Sequence, residues 1–137
     1  MVKSIVGKVV LGLMFVMSST IVFSQDSKVK YPDISGIWSM GQCITTITQY
    51  DEKVIITSTC GTNVWYEVGD FIDNKTVQTK CMGRLSTGCV TITEHTYTLT
   101  KNGNLINEWV CSDSNCGYKK GSSGSNTLTF VMKFRYK

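Results

Sequence analysis

Short segments rich in threonine, valine, isoleucine and aromatic residues, each bounded by polar turn residues, follow one another from Gly36 to Lys137. No segment has apolar residues at intervals of three and four, so the pattern does not predict helices. The last segment, TLTFVMKFRYK, has an apolar residue at every second position, which is the period of a β-strand with one face in the core. The chain is therefore predicted to be all-β.

Seven or eight such segments are joined by short polar turns, a pattern typical of an antiparallel meander. A flat sheet made from so short a chain would expose its edges, and closing the sheet removes them. We therefore expect a small antiparallel up-and-down barrel. A membrane-spanning barrel is not predicted, because its strands need apolar bands of about 10 residues and segments such as KTVQTKCM are too polar.

Residues 1–24 have the layout of a secretory signal peptide, in which Lys3 and Lys8 give a positive start, an apolar run from Val9 to Val16 follows, and small and polar residues come next. Cleavage before Gln25 would leave one domain, residues 25–137, in a secreted or periplasmic location. Without the two lysines, the 14 basic residues fall to 12 against 10 acidic ones, a net charge of +2. So small a charge predicts no nucleic-acid partner, and we expect a monomer with no membrane span.

All six cysteines follow the predicted cleavage site, and in a small exported domain an even number predicts three disulfides. A metal site is not predicted, because the chain has no C-x-x-C pair and only one histidine. A hairpin turn centred on Asp51 and Glu52 would place Cys43 directly opposite Cys60. These two cysteines are therefore expected to form a disulfide.

The other four cysteines can be paired in two ways. Pairing across the short connections joins Cys81 to Cys89 and Cys111 to Cys116, and this is the pattern we expect. The Asn-Gly pair at residues 102–103 is the strongest turn signal in the chain. A hairpin centred there would instead place Cys89 opposite Cys116 and leave Cys81 to pair with Cys111.

The tripeptide Gly36-Ile37-Trp38 stands at the start of the first predicted strand. In that position it resembles the G-x-W signature of the lipocalin and calycin group. The resemblance covers these three residues in detail and the strand-rich domain in outline. It implies that Trp38 closes the bottom of a barrel whose interior holds a small apolar ligand. Packing of Trp38 in an ordinary core is the alternative.

Apolar and aromatic side chains on the strands are the candidates for ligand contact. They are Trp38, Tyr66, Trp109, Phe130, Met132 and Phe134. An interior cavity is expected to be lined by Ile44 together with the last three members of this set. The turn at residues 102–103 predicts that Trp109 lies opposite Thr96, on an otherwise polar side of that hairpin.

The chain offers few residues for catalysis. His95 is the one histidine, and no serine or cysteine neighbours it in a nucleophile motif. Glu67, Asp70 and Asp73 lie along one strand and its turn, where carboxylates usually accept backbone hydrogen bonds. No catalytic residue, metal or cofactor is predicted, and the protein is not expected to be an enzyme.

These features predict a lipocalin-like, non-enzymatic binding protein for a small apolar ligand or a protein surface. A secreted inhibitor of a lysozyme or a protease is the alternative, because small disulfide-bonded β domains often have that role. An inhibitor needs a rigid protruding loop. The candidate for it is the segment CSDSNCGYKKG, held by Cys111 and Cys116. A long polar loop is expected from Ser112 to Asn126.

Overall fold

The computed structural model describes residues 30–134, which form eight β-strands and thus confirm the all-β prediction. The strands are β1 (Gly36–Met40), β2 (Cys43–Tyr50), β3 (Lys53–Cys60), β4 (Asn63–Phe71), β5 (Thr76–Arg84), β6 (Val90–Leu99), β7 (Leu105–Ser114) and β8 (Ser123–Met132). The predicted signal peptide, residues 1–24, lies outside the described residues. Within residues 30–134, no helix has the length and apolarity needed to cross a membrane.

Each strand pairs antiparallel with the next, and β8 pairs with β1 to close an up-and-down barrel. The predicted barrel is therefore confirmed. Because neighbouring strands run in opposite directions, successive connections alternate between the two ends of the barrel. The β1–β2, β3–β4, β5–β6 and β7–β8 connections lie at one end, which we call the open end, and the other three lie at the closed end.

The segment that precedes β1 covers the closed end. Ile34 is buried there, its backbone N–H donates to Gln49 Oε1 at 2.9 Å, and its carbonyl accepts from Trp38 Nε1 at 3.0 Å. Tyr31 stacks on Phe71 with 5.0 Å between ring centroids. Ile34, Trp38 and Phe71 belong to the apolar core of the barrel. The other buried residues of this core are Ile47, Val54, Ile56, Val77, Tyr97, Leu105 and Leu128.

Two disulfides join chain segments at the open end. Cys43 at the start of β2 bonds to Cys60 at the end of β3, as predicted from the turn at Asp51. Cys89 in the β5–β6 connection bonds to Cys116 in the β7–β8 connection. All four connections at the open end are therefore next to a disulfide, and none of the closed-end connections is.

The expected local bonds, Cys81–Cys89 and Cys111–Cys116, are wrong. Cys81 and Cys111 are free thiols buried inside the barrel, whereas their expected partners lie in connections at the open end. The two thiols do not bond to each other either, because each lies opposite Thr93 from a different side of β6. Two strand spacings, about 9.6 Å, separate their Cα atoms, and a disulfide spans at most about 7 Å.

The β6–β7 hairpin differs by one residue from the predicted register. Gly103 has a φ of 79°, whereas the asparagine before it keeps a negative φ, so the connection is not the two-residue turn expected from Asn-Gly. The N–H of Thr100 donates to the carbonyl of Asn104 at 2.9 Å and closes a three-residue connection. As a result Trp109 lies opposite His95 and not opposite Thr96.

A β-bulge near the open end of the same hairpin shifts the pairing back by one residue, to the register that places Cys89 opposite Cys116. The register shifts between Ile92 and Thr93, and Ser112 is the extra residue on β7. The Ser112 hydroxyl donates to the Ile92 carbonyl at 3.1 Å. Beyond the bulge, Cys89 and Cys116 are brought together as the alternative pairing predicted.

Nearly half of the polar segment expected to be a loop from Ser112 to Asn126 is strand. β7 continues through Ser114 and β8 begins at Ser123, so the connection is only residues 115–122. Small polar residues have weak strand propensity, but pairing with a neighbouring strand overrides it. Asn126 lies opposite Asn107 of β7 in this pairing.

Gly69 fixes how β4 lies against β5. A Cβ atom built on Gly69 would lie 1.8 Å from the backbone oxygen of Gln78, so any other residue would collide with β5 at this point. Gly69 pairs with Thr79. The inward-facing residues of β4 are thereby aligned with those of β5.

Candidate ligand cavity

Strand β4 turns its more polar face into the barrel. The alternation along this strand places Val64, Tyr66 and Val68 on one face, and such an apolar face is usually buried. In the structure that face points outward, with Tyr66 55% and Val68 64% exposed. The opposite face carries Trp65 and Glu67, and Glu67 is only 2% exposed.

Two tryptophans lie against glycines on neighbouring strands. A Cβ atom on Gly83 would lie 2.5 Å from Trp65 Cδ1, and a Cβ atom on Gly124 would lie 2.6 Å from Trp109 Cζ2. Each glycine is the cross-strand partner of the tryptophan that it accommodates. The missing side chains thus leave room for two indole rings on the inner surface of the sheet.

The barrel contains a cavity of about 210 Å³ towards its open end. Its apolar wall consists of Met40, Trp65, Leu85, Trp109, Tyr118 and Leu128, and its polar wall includes Thr45, Ser58, Glu67, Thr91, Thr93, His95, Tyr97, Asn107 and Asn126. Tyr118 comes from the β7–β8 connection and is 49% exposed, so the cavity reaches solvent beside that connection. An apolar cavity of about 150 Å³ accepts benzene. This cavity therefore has room for a molecule of about one ring.

Glu67 is the centre of a hydrogen-bonded group inside the barrel. Thr79 Oγ1 donates to Glu67 Oε2 at 2.7 Å. The Tyr97 hydroxyl donates to both carboxylate oxygens, at 2.8 Å to Oε1 and 2.9 Å to Oε2. We call the connected set the polar cluster, and its members are Glu67, Thr79, Thr93, His95, Tyr97 and Asn107.

His95 adopts a neutral tautomer in the polar cluster. Its Nδ1 lies 3.1 Å from Asn107 Oδ1, which can only accept, so Nδ1 carries the proton. Its Nε2 lies 2.7 Å from Thr93 Oγ1, whose hydroxyl can donate. Nδ1 is also 3.7 Å from Glu67 Oε2. Both ring nitrogens therefore have partners while the imidazole is uncharged.

Burial keeps the other ionisable members of this region neutral. It lowers the pKa of His95 below its ordinary value, an effect that the Glu67 charge and the hydrogen bond to Asn107 only partly offset. Burial also raises the pKa of Tyr97 well above its ordinary value, and raises the pKa of Cys81 to about 12. At neutral pH all three groups are therefore uncharged. His95, the one of them that could become positive, does not neutralise the Glu67 carboxylate.

A metal ion is one group that this region could hold. Ligand atoms of Glu67, Cys81 and His95 lie within 4.8 Å of one another, and oxygen, sulfur and nitrogen donors together suit Zn²⁺. However, both nitrogens of His95 and both oxygens of Glu67 are already hydrogen-bonded within the chain. A metal would have to break these bonds and ionise a buried thiol, so the geometry disfavours a metal ion at this position.

The structure does not bring the predicted ligand residues together. Trp109 lines the cavity. Trp38 lies in the apolar core, where its ring meets Phe130 edge-on with 5.1 Å between centroids. Tyr66 lies on the outer surface of β4.

The expected lining of the cavity by Ile44, Phe130, Met132 and Phe134 is not observed. β8 runs from the open end to the closed end, so its last residues lie beyond Leu128, the last residue of β8 that lines the cavity. Phe130 and Met132 are 40% and 54% exposed there. Ile44 points outward from β2 and is 48% exposed.

The sequence pattern does not indicate that Glu67 and His95 belong to one site. Polar strand residues usually face solvent in an antiparallel sheet, and Glu67 departs from that arrangement. One sequence feature could have indicated the reverse for β4. Glu67 shares its face with Trp65 and Gly69, a large aromatic and a glycine, which is unusual for a solvent-facing set.

Comparison with protein-family models, with curated proteins and with solved structures finds no match for this chain. The cavity and the polar cluster are therefore the observations from which function is inferred.

Proposed function

We propose that the protein is a non-enzymatic binding protein that holds one small, largely apolar molecule inside its barrel. The observation that carries this proposal is the cavity of about 210 Å³, with Trp65 and Trp109 in its wall. Many lining residues are polar, but the surface that they expose to the cavity is mostly apolar, as is typical of small-molecule sites. The resemblance of Gly36 and Trp38 to the lipocalin signature supports the same function.

The two ends of the barrel support a preformed site. Ile34 and its hydrogen bonds cover the closed end, and the disulfides Cys43–Cys60 and Cys89–Cys116 hold the connections around the opening. Walls that are ordered before a ligand arrives lower the entropic cost of binding. The disulfides are also compatible with an oxidising compartment, and we propose that the protein acts outside the cytoplasm.

The proposal can be tested with a panel of neutral and charged one-ring aromatic compounds, detected by ligand-observed NMR. At least one compound should bind, and the variant Leu85→Trp should weaken its binding at least about tenfold by filling the opening. Leu85 lines the cavity near the open end.

Met82→Trp is the matched control, because Met82 lies three residues away on the outer face and is 56% exposed. It should leave the affinity unchanged. Absence of binding across the panel, or equal loss in both variants, would contradict an interior site.

A further inference from the structure

Glu67 has hydrogen-bonding capacity that the protein does not use. A carboxylate can accept about four hydrogen bonds, and the hydroxyls of Thr79 and Tyr97 supply only two protons. Glu67 is also a lining residue of the cavity. A ligand with donor groups could therefore use the acceptor sites that remain.

No cationic side chain of the described residues neutralises Glu67. Neither lysine nor arginine is present among the residues that line the cavity between positions 40 and 128. The two described lysine–carboxylate pairs, Lys53 with Asp70 and Lys133 with Asp33, lie on the exposed surface. A buried carboxylate without a counter-charge is costly unless another group supplies the charge.

The cavity also offers aromatic surfaces to a positive charge. Trp65 is two residues from Glu67 on the same inward face of β4, and Trp109 lies opposite His95 on β7. A cation near the face of an indole ring is attracted by the electron density of that face. Carboxylate and indole rings are thus present in one enclosed space, which is the combination that recognises an organic cation.

We propose that the ligand is a protonated amine attached to a body of about one ring, with the ammonium group directed at Glu67 and the body beside Trp65 and Trp109. This inference rests on the proposed function, since it names the chemical class of the molecule that enters the same cavity. The ammonium group supplies both the missing counter-charge and the missing donors.

The test compares benzylamine with benzyl alcohol and benzoate, which share one ring and differ in charge. Each compound is titrated into the intact protein by calorimetry at pH 7, with EDTA present so that no metal ion occupies the polar cluster. Benzylamine should bind about tenfold or more tightly than benzyl alcohol, because a charged hydrogen bond and a cation–ring contact are added. Benzoate should bind most weakly.

The variant Glu67→Gln keeps acceptors for Thr79 and Tyr97 but removes the charge. This variant should bind benzylamine and benzyl alcohol with about equal affinity. The matched control is Asp70→Asn, which removes an exposed carboxylate of the same strand. That variant should keep the wild-type preference.

The outcomes separate this inference from the proposed function. If benzyl alcohol binds the wild-type protein as tightly as benzylamine does, or if benzoate binds best, the cationic ligand is ruled out while the binding function stands. If none of the three compounds binds, both proposals fail. The wild-type comparison decides even where Glu67→Gln does not fold.

Discussion

Tyr97 connects the two halves of the barrel interior. Its ring belongs to the apolar core, and its hydroxyl donates to both oxygens of Glu67. The side chain is 2% exposed, so it is shielded from bulk solvent. The orientation of the carboxylate in the cavity therefore depends on this phenol group together with the Thr79 hydroxyl.

We expect Tyr97→Phe to lower the free energy of unfolding by about 1–3 kcal/mol, because a buried carboxylate loses a donor. Denaturant unfolding measures the change. Tyr66→Phe is the control, since Tyr66 is 55% exposed on the outer face, and it should change stability by less than about 0.5 kcal/mol. Equal effects of the two substitutions would show that the Tyr97 hydroxyl is not structurally important.

His95 should make stability depend on pH. Its pKa in the folded protein lies below the ordinary value of 6.5, so below pH 6.5 the unfolded chain binds a proton that the folded chain does not. The free energy of unfolding should therefore fall as the pH drops from about 6.5, by at most about 1.4 kcal/mol per pH unit, and this contribution should be constant above that range. His95 is the one histidine in the chain.

Unfolding curves recorded between pH 7.5 and pH 5 test this expectation, with His95→Gln as the comparison. The pKa values of Asp33 and Asp73 are lowered from 3.8, so these groups titrate below the chosen range. A wild-type curve as flat as that of the variant would mean that His95 takes up its proton equally well in the folded and unfolded states.

Single residues were predicted from the sequence only where their role is local. The turn at Asp51 was predicted correctly, and Trp109, one of the residues proposed for ligand contact, lines the cavity. Glu67 was not recognised, because its burial depends on Tyr97 and Thr79 in other strands. A buried polar group is defined by its partners, and those partners become neighbours only when the barrel closes.

At the level of strands, the contacts between tryptophan and glycine determine the shape of the cavity. Gly124 in β8 leaves space for the Trp109 ring of β7, and Gly83 in β5 does the same for Trp65 of β4. Neither glycine has a positive φ, so both are needed for space and not for backbone conformation.

We expect Gly124→Ala to destabilise the protein by about 1–3 kcal/mol, since the added methyl group would overlap the indole of Trp109. In a Trp109→Leu background the same substitution should cost less than about 0.5 kcal/mol. A double-mutant cycle based on denaturant unfolding gives the coupling energy. A coupling energy near zero would show that Gly124 and Trp109 do not restrict each other.

Strand pairing was predicted correctly in the β2–β3 hairpin and shifted by one residue in the β6–β7 hairpin. The turn at Asp51 gave the observed register of β2 and β3, including Cys43 with Cys60. The β6–β7 hairpin contains a longer connection and a bulge at Ser112. The longer connection takes up one extra residue on the β6 side, and the bulge takes up one on the β7 side. Neither feature has a distinctive sequence pattern.

The whole molecule matches the predicted architecture because its determinants are distributed along the chain. Alternating strands, short turns and the need to cover edges all favour closure of the sheet into a barrel. None of these determinants depends on the exact residue at which a strand begins. The disulfide pattern was harder to predict, because the choice of partner depends on which strands become neighbours and on which side each cysteine faces. The local pairs were wrong for this reason.

Counting the reactive thiols tests the observed arrangement of two disulfides and two free cysteines. The native protein should not react with Ellman's reagent, because Cys81 and Cys111 are both buried. After unfolding in guanidinium without reductant, two thiols per chain should react, and after reduction all six should. No reactive thiol in the unfolded, unreduced chain would reveal a third disulfide and contradict the structure.

The outward apolar face of β4 has a consequence for how the chain reaches its native state. If β4 slipped by one residue along β5, Tyr66 and Val68 would become buried and Glu67 would become exposed. Burial of the two apolar side chains would favour that change. The slip would also push a side chain into the Gln78 carbonyl where Gly69 now lies. Backbone crowding at Gly69 thus opposes the hydrophobic gain from the slip and keeps the Glu67 side chain inside the barrel.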